Sequence, residues 1–238
     1  LVGSSARCGA RCLATGAQAV SAPAHWLGAF GQVGCLVTAL PRLWLGRPVR
    51  IHWDGAQHVE AALARGTGIV FLTPHLGCFE ITAQAYAGRF GSRQPMTVLF
   101  RPARKTWLRG LIDSARWRPG LYTAPTTMAG VKQLLKALRQ GQSVGLLPDQ
   151  VPPHGLGVWA PFFGRAAYTM TLSARLAQQT GAAVLVAWGE RLAWGRGCTV
   201  HVKPFSEQLP AVAVQAANDI NQAMARHVAE SPQEYLCV

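Results

Sequence analysis

Three short apolar runs, each closed by a proline next to a polar residue, constrain this chain more than any other feature. Gly68-Ile69-Val70-Phe71-Leu72 runs into Thr73-Pro74-His75, and Met96-Thr97-Val98-Leu99-Phe100 is closed by Arg101-Pro102. Ser143-Val144-Gly145-Leu146-Leu147 stops at Pro148-Asp149-Gln150. Runs this short, β-rich and bounded by Gly or Pro read as buried strands. Helical patterns lie between them. Gln57–Arg65 reads as a short helix, and Phe79–Arg89 as an Ala-rich one. In the next, Met128, Val131, Leu134, Leu135 and Leu138 share one face, behind the capping residues Thr126 and Thr127. Alternating strands and helices of this kind imply an α/β fold: a mainly parallel central sheet flanked by helices.

The rest of the chain is read in the same way. Val49–Trp53 alternates as a strand that ends at Asp54-Gly55. Lys105–Arg118 has the pattern of a basic amphipathic helix, and Val151–Gly164 is a Pro- and Gly-rich loop. Tyr168–Thr180 is expected as a helix, Ala182–Trp188 and Cys198–Val202 as strands, and Pro210–Ala229 as a closing helix. Residues 7–22 are Ala-rich and predict a helix. Trp26, Leu27, Phe30, Val33, Leu36, Val37, Leu40, Leu43 and Trp44 recur every three or four residues, an amphipathic helix over 24–45. That helix suits docking on lipid or closing a hydrophobic tunnel, and it suits an ordinary core equally. Residues 1–46 are therefore set apart as an N-terminal helical, membrane-proximal segment, and 47–238 as the functional domain.

Composition narrows the partners. The chain has 238 residues and a net charge of +13, with 19 Arg and 4 Lys against 10 acidic residues. Such an excess calls for an anionic partner. Half the residues are hydrophobic, and that combination favours a membrane surface over nucleic acid, which is not an expected partner. No run of about 20 uninterrupted apolar residues is present. The cysteines, Cys8, Cys12, Cys35, Cys78, Cys198 and Cys237, follow no framework spacing and read as scattered reduced thiols. Neither their spacing nor that of the histidines predicts a metal site, and no Gly-rich phosphate loop is found in the right context, so no cofactor is expected.

The chemistry concentrates where the strands end. In an open parallel sheet, ligands and reacting groups sit at the carboxyl ends of the strands. His75 lies at one such end, Asp149 and Gln150 at a second, and Arg101 at a third. Glu80 follows His75 by five residues. Helical spacing alone would set them about 140° apart, so they meet only if His75 is on the connecting loop and Glu80 in the first turn. A carboxylate beside a histidine fixes its tautomer and raises its basicity, as a general base requires. The alternative is a capping histidine with a solvated glutamate. The loop Gly157–Gly164, with Trp159, Phe162 and Phe163, reads either as a wall or lid that excludes water or as a rigid crossing over the core. Gly141-Gln142-Ser143-Val144-Gly145 fits the serine-hydrolase nucleophile pattern, but that pattern needs a strand before the serine and a helix after it. Here the order is reversed.

The blocks VFLTPHLGCFE, LFRPARKTWLRGLI followed by Arg116 and Gly120, GLLPDQVPPHGLGVWAPFFG, TMTLSARLAQQTGA and SPQEYL together resemble the late acyltransferases of lipid A biosynthesis. These belong to the wider glycerolipid acyltransferases with an H-x-x-x-x-D/E motif. The likeness covers roughly residues 48–236. It implies a glycerolipid-acyltransferase-like α/β sandwich. It also implies transfer of an acyl chain from acyl-acyl carrier protein to a hydroxyl of a lipid A precursor at the cytoplasmic face of the inner membrane. By the matched positions His75 would be the general base and Glu80 would orient it, with no metal. Arg116 and Asp149 match further functional positions, the arginine suited to sugar phosphates or to developing oxyanion charge. The resemblance also implies an N-terminal transmembrane helix and a basic tail after Tyr-Leu. Neither lies between Leu1 and Val238, so a longer gene product is expected. Other readings stay open: the same chemistry on another lipid acceptor, a non-catalytic basic membrane-binding α/β module, or a thioesterase.

Overall fold

The computed structural model describes residues 49–100, 118–205 and 209–235. The helices expected over 7–22, 24–45 and 105–118 lie outside these residues, apart from Arg118 at the end of the last. So do Arg101 and Arg116. The elements are β1 (Ile51–Asp54), α1 (Ala56–Arg65), β2 (Ile69–Leu72), α2 (Glu80–Phe90), β3 (Met96–Phe100) and β4 (Leu121–Pro125). Then follow α3 (Met128–Arg139), β5 (Ser143–Leu146), β6 (Gly157–Phe162), β7 (Arg165–Met170), α4 (Leu172–Thr180), β8 (Ala183–Arg191), β9 (Cys198–Pro204) and α5 (Ala213–Glu230).

Seven strands form one sheet in the order β1-β9-β8-β2-β5-β3-β4. Strands β8, β2, β5, β3 and β4 run parallel, while β9 is antiparallel to β8 and carries β1 parallel to itself. The apolar runs occupy the middle of the sheet because helices cover both of its faces, and the period of two divides each run between them. Val70, Leu72, Val144, Leu146 and Val186 face α3, α4 and α5, against Leu134, Leu138, Leu176, Ile220 and Met224. Ile69, Phe71, Leu185, Ala187 and Val200 face α1 and α2, against Val59, Ile81, Tyr86 and Phe90.

Two segments differ from expectation. Strand β4 was not foreseen: it is the sheet edge, where Tyr122 and Thr123 are exposed and Pro125 ends the strand, so no apolar run marks it. The expected loop 151–164 and the start of the expected helix at Tyr168 form instead an antiparallel ribbon of β6 and β7, and α4 begins only at Leu172. The turn is Phe163-Gly164, both with positive φ (47° and 71°), as a two-residue hairpin with right-handed strand twist requires. Asn221 of α5 pins the ribbon, its side-chain amide donating to Pro161 O at 3.1 Å and to Thr169 Oγ1 at 2.8 Å.

Candidate active site

Strands β2 and β5 are parallel neighbours with Leu72 opposite Leu146, so their polar extensions leave the sheet at one rim. The ladder continues one step past the strands, with Thr73 N donating to Leu146 O at 2.9 Å. Beyond that point His75 and Asp149 meet. His75 Nδ1 lies 2.9 Å from Asp149 Oδ1, and the His75 backbone N–H donates to Asp149 Oδ2 at 2.8 Å. The carboxylate thus receives both N–H groups of one residue. Only 9% of the His75 side chain and 3% of the Asp149 side chain are exposed. With Nδ1–H given to Asp149, the lone pair of the imidazole is on Nε2. The Gln150 amide nitrogen stands 3.5 Å from that Nε2, and the ring of Phe79 packs edge-on at 4.8 Å.

Glu80 is the first residue of α2, where a carboxylate complements the positive end of the helix dipole. It lines the same cavity as His75. Asp149 supplies a carboxylate to the His75 ring, and Glu80 stands in the cavity wall. Arg101 and Arg116 lie outside the described residues, although β3, which leads into Arg101, ends at this same rim.

The cavity has a volume of about 250 Å³ and lies between the sheet and α2. Thr73, His75, Glu80 and Gln150 form its polar rim, and Phe71, Tyr86, Met96, Val98 and Leu121 its apolar walls. Gly145 lies in the floor of the cavity, where a Cβ would come within 3.0 Å of Val98 Cγ1. Ser143, the serine of the hydrolase-like pattern, is fully buried at the start of β5 and hydrogen-bonded to Tyr86 Oη at 2.8 Å. It sits at the far end of its strand from His75, and burial holds the Tyr86 phenol in its neutral form by raising its pKa. The aromatic segment expected as a wall or lid does not line the cavity. Phe162 instead packs on Tyr235, ring centroids 6.3 Å apart.

The loop that carries His75 is held by residues whose role was not foreseen. Leu76 bridges to Tyr235, and Gly77 N donates to Glu234 O at 3.0 Å. On the other side, Cys78 N donates to Gly189 O at 2.7 Å. Gly77 has φ 57°, and a Cβ there would stand 2.2 Å from Gly189 O; only glycine fits. The SPQEYL block thus clasps the loop, a relation no local pattern could reveal. Two of the scattered cysteines also meet here. Buried Cys78 is brought down to about 7 chiefly by a side-chain hydrogen bond with Cys198, with the Arg191 guanidinium adding to it and burial opposing. Among the described residues no group of three or more His, Cys, Asp or Glu could hold a metal ion. No helix among them is long and apolar enough to cross a membrane.

A buried His–Asp pair opening onto an apolar cavity, at the strand-end rim of a parallel sheet, can deprotonate a hydroxyl beside a hydrophobic ligand. Comparison with known proteins agrees with this geometry. The profile of the bacterial lipid A biosynthesis acyltransferases matches residues 32–238. Over 204 residues the chain is 24% identical to the lipid A biosynthesis palmitoleoyltransferase of Escherichia coli (strain K12), covering 84% of this chain and 65% of that protein. Over 183 residues it is 27% identical to the phosphatidylinositol mannoside acyltransferase of Mycobacterium tuberculosis (strain CDC 1551 / Oshkosh), covering 74% of this chain and 56% of that one. A lipid A biosynthesis acyltransferase of Haemophilus influenzae (strain ATCC 51907 / DSM 11121 / KW20 / Rd) is 23% identical over 189 residues, 79% of this chain and 58% of its own. The chain spans between 56% and 65% of the length of these relatives. With the profile matched over most of its residues, the chain belongs to the bacterial lipid A biosynthesis acyltransferase family.

Proposed function

We propose that this chain transfers a fatty acyl group from a thioester donor, acyl-acyl carrier protein, to a hydroxyl of a lipid A precursor at the cytoplasmic face of the inner membrane. The observation that carries the reading is the buried His75–Asp149 pair at the mouth of an apolar cavity. His75 Nε2 takes the proton of the acceptor hydroxyl as its oxygen attacks the thioester carbonyl. The C–S bond breaks, and the leaving thiolate receives the proton back from the imidazolium. An ester and a free thiol result, with no acyl-enzyme and no metal needed. Asp149 keeps Nδ1 protonated and stabilises the imidazolium, as an orienting carboxylate does. Glu80, at the rim, is assigned to the acceptor, and Gln150 to holding the reacting groups near Nε2. Arg116 and Arg101 are kept as the cations for sugar phosphate or oxyanion charge. The apolar cavity would take the acyl chain.

A second acceptor class has its own support. One relative is named for phosphatidylinositol mannoside rather than lipid A, so a different glycolipid hydroxyl would serve the same machinery. Mass spectrometry of glycolipids from cells with and without the gene separates the two. With purified protein, His75→Ala should abolish ester formation and leave the thermal unfolding transition in place. A folded His75→Ala protein that acylates at the parent rate would remove the reading. Free fatty acid released without an acceptor would make the protein a thioesterase.

A further inference from the structure

The β6–β7 ribbon has one face on α5 and one face turned outward. An antiparallel ribbon of this kind normally alternates apolar residues inward with polar residues outward. The inner face obeys the rule: Ala160 and Thr169 are buried there, with Asn221 bonded to Thr169. The outer face does not. Its solvent-facing cross-strand pairs are Trp159 with Tyr168 and Pro161 with Ala166, without a charge among them, while Met170 opposite Gly157 is buried. Trp159 is 66% exposed, its ring 5.4 Å from that of Tyr168. The surface extends into the preceding loop, where Leu156 is 53% exposed. Tyr168 Oη fixes that loop by accepting from Gly155 N at 2.8 Å and Gly157 N at 3.1 Å. These side chains are thus held outward by a rigid frame, and a rigid exposed apolar face marks an interaction surface.

Charge indicates what it meets. From Gln150 to Gly189 the sequence contains no Asp or Glu, while Arg165 at the ribbon tip and Arg175 on α4 are both exposed. Exposed apolar and aromatic side chains in a stretch that carries arginine and no carboxylate match an anionic lipid surface, where indole and phenol rings settle at headgroup level and guanidinium groups pair with phosphate. Position agrees as well. Phe162 of the ribbon packs on Tyr235, which bridges to Leu76, next to His75. The ribbon is therefore joined through Tyr235 to the loop that bears His75.

We propose that the outer face of the β6–β7 ribbon, centred on Trp159 and bordered by Leu156 and Arg165, docks on the surface of an anionic phospholipid bilayer. This assignment goes beyond the acyl-transfer reading, because vesicle binding can be measured with neither donor nor acceptor. The test uses the full chain and vesicles of phosphatidylcholine alone or doped with phosphatidylglycerol. The parent should sediment with the doped vesicles, and Trp159→Ser should lower that partition about tenfold, the share of one buried indole. Arg165→Gln should weaken it less, and only at low salt. Trp159→Phe, which keeps a ring, should retain binding but lose the part of the tryptophan emission that brominated lipids quench. Unchanged partition of a folded Trp159→Ser protein, or quenching equal in parent and Trp159→Phe, would overturn the proposal. A dimer that Trp159→Ser dissociates while vesicle binding stays intact would also overturn it, and would give the face to a second copy of the chain.

Discussion

Asp149 accepts two hydrogen bonds from His75, one from the ring and one from the backbone. Side-chain orientation and loop position are therefore set by the same carboxylate. A carboxylate that met the ring alone would leave the backbone of His75 without this anchor.

Replacing Asp149 with Asn separates these two tasks. The amide oxygen can still accept from one N–H, but the amide nitrogen then faces the other and favours the wrong tautomer. The turnover number for acyl transfer should fall by roughly three to four orders of magnitude with KM little changed. Steady-state kinetics beside a thermal melt checks it, and a loss smaller than about tenfold would take Asp149 out of the mechanism.

Gly77→Ala should destabilise the fold by about 2–3 kcal/mol. The substitution combines a left-handed backbone with a Cβ pressed on Gly189 O. Urea denaturation measures the loss, and since the loop carries His75, activity should drop even where the protein remains folded.

Tyr86 and Ser143 form a buried hydroxyl pair at 2.8 Å. Tyr86→Phe alone should cost about 1–2 kcal/mol, because Ser143 Oγ loses its partner, and adding Ser143→Ala should cost less than the two single changes summed. Ser143→Ala should also keep acyl transfer near the parent rate. A dead Ser143→Ala protein would reopen the hydrolase reading.

His227 gives stability a pH dependence. Its ring stacks on Trp188 with centroids 4.5 Å apart, and burial lowers its pKa below 6.5, with Glu230 opposing. The unfolded chain therefore takes up a proton near pH 6.5 while the folded chain does not. The contribution of His227 should be level above that pH and be lost as pH falls below it. His227→Gln should flatten this part of the profile; urea midpoints at pH 7.5 and 5.5 for both proteins decide it. An equal decline in both would assign the effect to other groups.

Much of this architecture was legible because the central strands announce themselves. Ile69–Leu72 and Ser143–Leu146 are buried throughout and Met96–Phe100 is buried or half-buried, and a mostly apolar run is what cover on two faces demands. Where one face meets solvent the signal weakens. Leu121–Pro125 went unseen as an edge strand, and Tyr168–Met170, the second half of β7, passed for the start of a helix because the helical pattern of the following residues runs on without a break before them. In the site, parallel pairing brought His75 and Asp149 to one rim, as strand-end reasoning requires. That Asp149 meets the ring could not be read: spacing relates Glu80 to His75 along the chain, whereas Asp149 arrives from a neighbouring strand. The clasp by Glu234 and Tyr235, and the meeting of Cys78 with Cys198, depend on the same kind of distant return.

That clasp also bears on the order in which the protein becomes competent. Ribosomal synthesis delivers residues 232–235 only after every strand of the sheet has emerged. The segment bearing His75 therefore draws its contacts with Asp149 and Gly189 from earlier parts of the chain, and those with residues 234 and 235 come last. Shortening the chain before residue 234 would thus strip backbone contacts from that loop while every strand of the sheet is retained.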